Sequence, residues 1–474
     1  LDVLNRNQPG LYDLLLMTAC FCLATLTGCT VGPNYQPPKA QVPSAWSQPS
    51  SAPAGASADE ILVHWWTAFN DPTLTTLVER AVQSNLTVKQ AEARIRQARA
   101  ARGVARAGFW PTVDATGTES FSRSPGTGGS SRLLEAGLDA SWELDIFGGT
   151  RRNVEAATAD LAAAVEDHRD ALVTLAGEVA LNYVELRGLQ QRIAIAQKNL
   201  EAQQHTAKVT KERFEGGFVG ALDVANANAQ VATTASQIPV LEILARQTIY
   251  NLGVLLGAEP SALVAELSET GGIPAAAPDV PLGVPSDLLR RRPDIRRAEV
   301  QIHAATARIG VATADLFPRL TVTGAAGFQG SQFDSWLQWT SRFASVGPSV
   351  DWQIFNAGKV TNNIEVQKAL TEQAVLTYRQ SVLTALQDVE NALIASTKEQ
   401  EHRKALADAV EANRKAVDLS MQLYIQGLGD FLNVLDAQRS LYSSEDALVQ
   451  STQTMSIDLV ALYKALGGGW SSTP

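Results

Sequence analysis

The stretch Leu134-Glu135-Ala136-Gly137-Leu138-Asp139-Ala140-Ser141-Trp142-Glu143-Leu144 decides the fold class. Leu134, Ala136, Leu138, Ala140, Trp142 and Leu144 alternate with Glu135, Gly137, Asp139, Ser141 and Glu143. Successive side chains of a strand point to opposite sides of a sheet, so this alternation predicts a strand with one apolar and one acidic face. The pattern returns in Ala344, Val346, Pro348, Val350, Trp352 and Ile354, set against Ser345, Gly347, Ser349, Asp351 and Gln353. A weaker partner strand precedes each: Val113, Ala115 and Gly117 before Phe121, and Leu320, Val322, Gly324, Ala326 and Phe328. Glu119 falls on the apolar phase of the first, which implies a register change or a rim position. Pro125–Gly129 supplies a hairpin loop.

Working outward, thirteen of the thirty aromatic residues lie within Phe109–Phe147 and Phe317–Phe355, and none of the thirteen is tyrosine. Alternation alone fits a soluble sheet as well as a lipid-facing one. Strands near ten residues long, flanked by aromatics, favour a transmembrane β-barrel. Two hairpins supply only four strands per chain, whereas single-chain barrels start at about eight, and an open sheet edge cannot sit in hydrocarbon. Several copies must therefore share one wall. Two copies would give about eight strands around a filled interior, and three about twelve around a water-filled lumen lined by the acidic face.

The rest of the chain reads as helix, and as a duplication with an offset near 210. Ala91-Glu92 matches Ala298-Glu299, Phe109-Trp110-Pro111 matches Leu316-Phe317-Pro318, and Trp142 through Gly149 matches Trp352 through Gly358. Phe214-Glu215-Gly216-Gly217 matches Tyr424-Ile425-Gln426-Gly427, and Leu222-Asp223-Val224 matches Leu432-Asn433-Val434. Thr150–Glu215 holds no proline, and Leu161, Val165, His168, Leu172, Leu175, Val179, Asn182, Leu186, Leu189, Ile193, Ala196 and Leu200 form one heptad series. As a helix this segment would reach roughly 100 Å. The second half repeats the idea from about Lys359 to Gln426, with Val375, Tyr378, Val382, Leu386, Val389 and Leu393 at spacings of three and four. Alanines such as Ala156, Ala159 and Ala163 let backbones approach, which suits a tube of helices better than a solid bundle.

The expected organisation is a signal peptide at 1–28, a lipidated tether at 29–64, a first repeat at 65–270, a linker at 271–285 and a second repeat at 286–474. The repeats contain β-hairpins 111–145 and 318–355 and helical hairpins 150–256 and 359–466. The apolar run Leu11–Leu26 is a signal-peptide core, too short to span stably. It ends in Leu26-Thr27-Gly28-Cys29, which resembles the bacterial lipobox and implies a covalent lipid on Cys29. Thr30, standing where an Asp would signal inner-membrane retention, favours the outer membrane by the same resemblance.

Cys20, Cys22 and Cys29 are the only cysteines, so neither a disulfide framework nor a cysteine metal site is expected. The formal net charge of −10 argues against nucleic acid as a partner. Past the N-terminus no apolar run is long enough for a helical span. His64, His168, His205, His303 and His402 are scattered, and no nucleophile elbow or phosphate loop occurs, so neither enzyme, metal nor cofactor is expected beyond the lipid. The basic run Arg290–Arg297 is read as a solvated helix start balanced by Asp287, Asp294 and Glu299.

Several motifs together resemble the TolC-like outer-membrane factor family, in its lipoprotein branch serving resistance-nodulation-division efflux systems. They are Trp65-Trp66 with Phe69-Asn70-Asp71-Pro72, Trp142–Gly148, Arg291–Glu299, Leu435–Leu441 and Tyr463–Trp470. The resemblance implies a mainly α fold with a transmembrane β part. Duplicated helical hairpins would form a trimeric α-barrel, continuous with a twelve-stranded β-barrel of four strands per protomer. It implies an outer-membrane, lipid-anchored, passive exit duct reaching through the periplasm. Its partners would be a periplasmic adaptor and an inner-membrane transporter. By resemblance, Phe214, Gly217, Tyr424 and Gly427 mark hairpin tips that contact the adaptor, and Asp436, Leu432 and Asp223 set the periplasmic gate. Asn433 stands where some relatives carry a second Asp, which thins any acidic ring. A type I secretion outlet and a pore-less structural coiled-coil lipoprotein are the competing readings.

Overall fold

A computed structural model of the chain describes residues 30–47, 61–123, 130–275, 280 and 282–471. The signal segment, Cys29 and the hairpin loop Pro125–Gly129 lie outside the described residues. The main elements are α1 (Pro72–Ser84), α2 (Leu86–Ala107), β1 (Thr112–Arg123), β2 (Ser130–Leu144), α3 (Gly149–Glu215) and α4 (Ala221–Leu255). They are followed by α5 (Pro293–Ala314), β3 (Arg319–Gly330), β4 (Arg342–Asp351), α6 (Lys359–Ile425) and α7 (Phe431–Ala465). The duplication is visible in the lengths: α3 and α6 each have 67 residues, α4 and α7 each 35. No described helix is long and apolar enough to cross a membrane.

The chain forms two compact units. The first contains residues 94–165 and 297–379 with the N-terminal segment through Lys39, and holds the sheet. Its strands run β1-β2-β3-β4, all antiparallel, so the two hairpins join through β2 and β3. The register brings the apolar phases into common rows: Val113, Ala140, Gly324 and Val346 form one, and Ala115, Leu138, Ala326 and Ala344 the next. Asp114, Asp139, Ala325 and Ser345 form a row of the other face. Among the described residues much of the apolar face is uncovered: Val113 is 61% exposed, Leu138 55%, Val346 82% and Val350 66%, while Leu134 at one end is buried at 5%. The soluble-sheet alternative needs that face buried, and most of it is exposed.

Glu119 causes no register change. Pairing is unbroken from Thr112↔Ser141 to Arg123↔Ser130, and Glu119 lies toward the end of the sheet, where Arg132 Nη2 pairs with its carboxylate at 2.6 Å. β4 ends at Asp351, before the expected Ile354. There Trp352 turns its indole N–H onto the Leu316 carbonyl at 3.1 Å, as Trp142 does onto the Phe109 carbonyl at 3.0 Å. The same anchor therefore closes both hairpins at the helical end.

The second unit contains residues 40–93, 166–296 and 380–474. Its core gathers the motifs of both chain ends. Trp65 is fully buried and stacks on Tyr463 with ring centroids 5.3 Å apart. Gly468 lets the chain close over this pair, since a Cβ there would lie 2.8 Å from the Leu62 carbonyl and 2.9 Å from the Trp65 ring. The Asp71 side chain caps α1 and also accepts from the Tyr183 hydroxyl at 2.9 Å. Between Val173 and Gln190, α3 is buried or half-buried on every side except at Glu178 and Glu185. Below Leu189 the heptad seam changes character. Its buried positions become Ala196, Asn199, Gln203, Thr206 and Thr210, with Gln438 of α7 donating to the Thr206 hydroxyl at 2.8 Å.

The basic run is not merely solvated. The Arg292 side chain is only 12% exposed and binds Asp294 at 2.8 Å, Asp388 at 3.0 Å and the Ala465 carbonyl at 3.0 Å. Arg296 pairs with Glu166 at 2.9 Å. Only Arg290, paired with Asp287, stands fully in solvent as expected.

The tightest point of the sheet is the facing pair Gly137↔Gly327. A Cβ on Gly327 would sit 2.4 Å from the Ala136 carbonyl oxygen and 2.6 Å from Gly137 Cα, both backbone. Gly327→Val is expected to part β2 from β3 and destabilise the protein by about 1–3 kcal/mol. A lowered unfolding temperature of the purified protein is the measure, with Gly347→Val, whose site has open space, as the tolerated control.

Candidate functional site

Both helical hairpins end in the same capping geometry, 210 residues apart. In the first, the Gly217 N–H donates to the Phe214 carbonyl and the Phe218 N–H to the Arg213 carbonyl, both at 2.9 Å. In the second, Gly427 donates to Tyr424 at 3.1 Å and Leu428 to Leu423 at 2.9 Å. This paired bond pattern requires a left-handed residue after the helix. Gly217 has φ 79° and Gly427 φ 75°, where a side chain would be strained. The two glycines singled out in the sequence are thus turn residues.

The tips meet through Arg213. Its guanidinium donates to the Ile425 carbonyl at 2.8 Å and lies 4.9 Å above the Tyr424 ring and 5.7 Å above Phe218. Tyr424 departs from the expected contact role: it is 2% exposed and packs with Ala227, Phe431, Val434 and Leu435. Its ring fills the space between the hairpins, so the surface belongs to its neighbours. Phe214, Phe218, Leu222, Leu428 and Leu432 are exposed there.

Leu432 and Asp436 are both exposed and four residues apart on α7, hence on one face. Asp223 is half-buried in the first turn of α4, whose N-cap is Gly220. It does not cap the helix, but its charge suits the helix N-terminus. Leu222 and Leu432 occupy equivalent positions in the two hairpins, so apolar side chains are doubled where acidic ones are not. Phe218 and Leu428 lie inside the expected tips, Phe214–Asp223 and Tyr424–Asp436, at equivalent places in the two halves, whereas Arg213 lies one residue outside them and no local signal marks it. Farther from the tips, Arg439 donates to Gln230 and Tyr442 to Gln237, both at 2.7 Å, joining α7 to α4.

In the sheet, the face opposite the apolar one carries Asp114, Asp139, Glu135 and Glu143, with the Thr116 hydroxyl donating to Asp139 at 2.6 Å. Curled with its apolar face outward, such a sheet lines its interior with carboxylates. On α7, burial pushes the Asp458 carboxyl up to about 6, and the Glu399 carboxylate adds to the shift. Glu399 is itself held by the Ser451 hydroxyl.

Residues 77–258 and 284–468 match the outer membrane efflux protein family. The chain belongs to this family. Nodulation protein T of Rhizobium leguminosarum bv. trifolii is 34% identical over 458 residues, covering 96% of this chain and 97% of that protein. The pyoverdine export outer membrane protein OpmQ of Pseudomonas aeruginosa is 32% identical over 473 residues, 97% of each. The solved outer-membrane channel OprN superposes with a TM-score of 0.87 at 38% identity, over 93% of this chain and all of that one. The fold is therefore that of the TolC-like channels, and the protein is an outer-membrane efflux component that serves as a duct. The largely exposed apolar face of the sheet and the repeated hairpins are the features of this efflux protein that such a role uses.

Two outcomes follow for the efflux protein. Arg213→Ala removes the tip-to-tip bond, and faster amide exchange is expected at Gly217, Phe218, Gly427 and Leu428, with protection of α3 between Val173 and Gln190 unchanged. The raised Asp458 carboxyl favours the folded state while protonated, so its contribution is present in acid and lost as pH rises through about 6. Unfolding temperature is expected to fall over that interval in the wild type and to stay flatter in Asp458→Asn.

Proposed function

We propose that three copies close their sheets into one twelve-stranded barrel and stack their hairpins into a tube, forming a passive trans-periplasmic exit path. The observation that carries this is the sheet with a largely exposed apolar face and two open edges, β1 and β4. Backbone groups on those edges need partners in lipid, and sister strands supply them. Four strands from each of three copies fit a lumen wide enough for solutes. The chain itself performs no chemical step in this reading, and the compounds moved are small toxic molecules selected by an inner-membrane transporter of the resistance-nodulation-division type.

The lipid on Cys29 belongs to the same proposal. Its support is the docking of the residues that follow. The Val31 N–H donates to the Phe147 carbonyl at 3.1 Å, and Arg152 grips the Val31 carbonyl at 3.2 Å and the Asn34 side chain at 2.7 Å. A lipid one residue before Thr30 would thus enter the membrane beside the helical end of the sheet. A covalent chain and a barrel together satisfy the need for more than one anchoring signal.

At the far end, a periplasmic adaptor engages the exposed tip residues around Phe214 and the Gly217 and Gly427 turns. Leu432, Asp436 and Asp223 narrow the aperture, and adaptor contact shifts the population toward an open end. A pore-less structural lipoprotein leaves the apolar sheet face without a use, and the efflux relatives weigh against a protein-secretion outlet. The test is single-channel recording in planar bilayers. Leu432→Ala with Asp436→Ala is expected to raise the conductance severalfold over the wild type. Unchanged conductance removes both residues from the gate, and absence of any conductance from the wild type removes the duct.

A further inference from the structure

The register that gathers the apolar side chains also gathers cations at one end of that face. Arg132 stands opposite Phe121, Arg342 opposite Phe328, and Arg123 opposite Ser130, all on the apolar phase and all toward the end away from the long helices. At the helical end of the same face the strand residues are Val113, Trp142, Leu144, Leu320, Val322 and Val350, with no charge among them. A chain of net charge −10 has thus placed three arginines on one rim of its lipid-facing surface.

The rim has aromatic supports. The Arg342 guanidinium lies 3.6 Å from the Trp339 ring centroid, and that of Arg132 lies 5.3 Å from Phe121. The segment between β3 and β4 adds Phe333 and Leu337, which like Trp339 are exposed. Apolar and indole side chains of this kind settle at the junction of hydrocarbon and headgroups. A guanidinium stacked on a ring keeps its edge N–H groups free, and those match a phosphate bidentately. Placed in hydrocarbon alone, each arginine would be costly; at headgroup level it meets an anion. Arg132 is partly claimed by Glu119, so the site has an internal competitor.

We propose that Arg123, Arg132 and Arg342 form a binding rim for the phosphates of an anionic glycolipid in the leaflet facing away from the helices. The inference rests on the apolar face meeting lipid. Its occupant is chosen by charge complementarity and by position, since the opposite end of the face offers no cation. Bound phosphates would fix the height of the barrel and screen three like charges that otherwise repel.

The test uses the full channel, purified and stripped of lipid, with native mass spectrometry as the readout. The probes are bisphosphorylated lipid A and the same lipid without its phosphates. The wild type is expected to retain the phosphorylated form with roughly tenfold preference. Arg123→Gln, Arg132→Gln and Arg342→Gln together should abolish the preference. Glu119→Gln should strengthen it by releasing Arg132, a gain that misfolding cannot produce. Should the triple variant fail to assemble, Arg342→Gln alone must lose part of the preference. Equal retention of both lipids by the wild type, or an undiminished preference in the arginine variants, overturns the proposal. So does equal competition by inorganic phosphate and by phosphatidylglycerol, which would mark generic attraction. Conductance measured on the same samples separates the two readings: a conducting channel without headgroup preference sinks the rim and spares the duct.

Discussion

Backbone hydrogen bonding in hydrocarbon is the constraint on which this protein depends. A four-stranded sheet with β1 and β4 unpaired is stable neither alone in lipid nor, with most of its apolar face exposed, alone in water. The individual chain is thus an incomplete object. Its Trp142 and Trp352 anchors hold each hairpin of that sheet at its helical end. β4 even carries Pro348, a residue that sheets tolerate at an edge or a bulge.

Duplication solves the geometry economically. The two halves share helix lengths, the turn geometry at Gly217 and Gly427, and the tryptophan-to-carbonyl bonds at the base of each hairpin. Where they differ, the differences are local. The first tip begins α4 with Gly220 and Asp223, the second begins α7 with Asp430 and Asn433. Arg213 has no arginine counterpart at Leu423, so its bond to the Ile425 carbonyl is an asymmetric tie between the tips, added to the Gln438–Thr206, Arg439–Gln230 and Tyr442–Gln237 bonds that join the hairpins farther along.

Charge is largely sorted by face. The carboxylates Asp114, Glu135, Asp139, Glu143 and Asp351 share the side that a closed barrel turns inward, with Arg319 beside Asp351. Arg123, Arg132 and Arg342 occupy the outward rim, where Glu119 is the one carboxylate among the strand residues. In the second unit, buried charges are paired or bonded, as Arg292 shows with Asp294, Asp388 and the Ala465 carbonyl. Such a cluster fixes the start of α5 against the end of α7 because leaving the buried Arg292 guanidinium unpaired would be strongly unfavourable.

Sequence alone determined what is local. Period-two alternation in Leu134–Leu144 set the two faces of β2, proline-free heptads set the long helices, and glycine followed by a restarted apolar pattern set the tips. These signals survive because a strand repeats every two residues and a helix every 3.6, whatever surrounds them. Tertiary structure decided which residues those faces meet. It settled Glu119 as a rim partner of Arg132, moved the lower α3 seam onto Asn199, Gln203, Thr206 and Thr210, and buried Tyr424 inside the tip. Each of these depends on a neighbour tens to hundreds of residues away, and periodicity along one element carries no information about the shape or polarity of another.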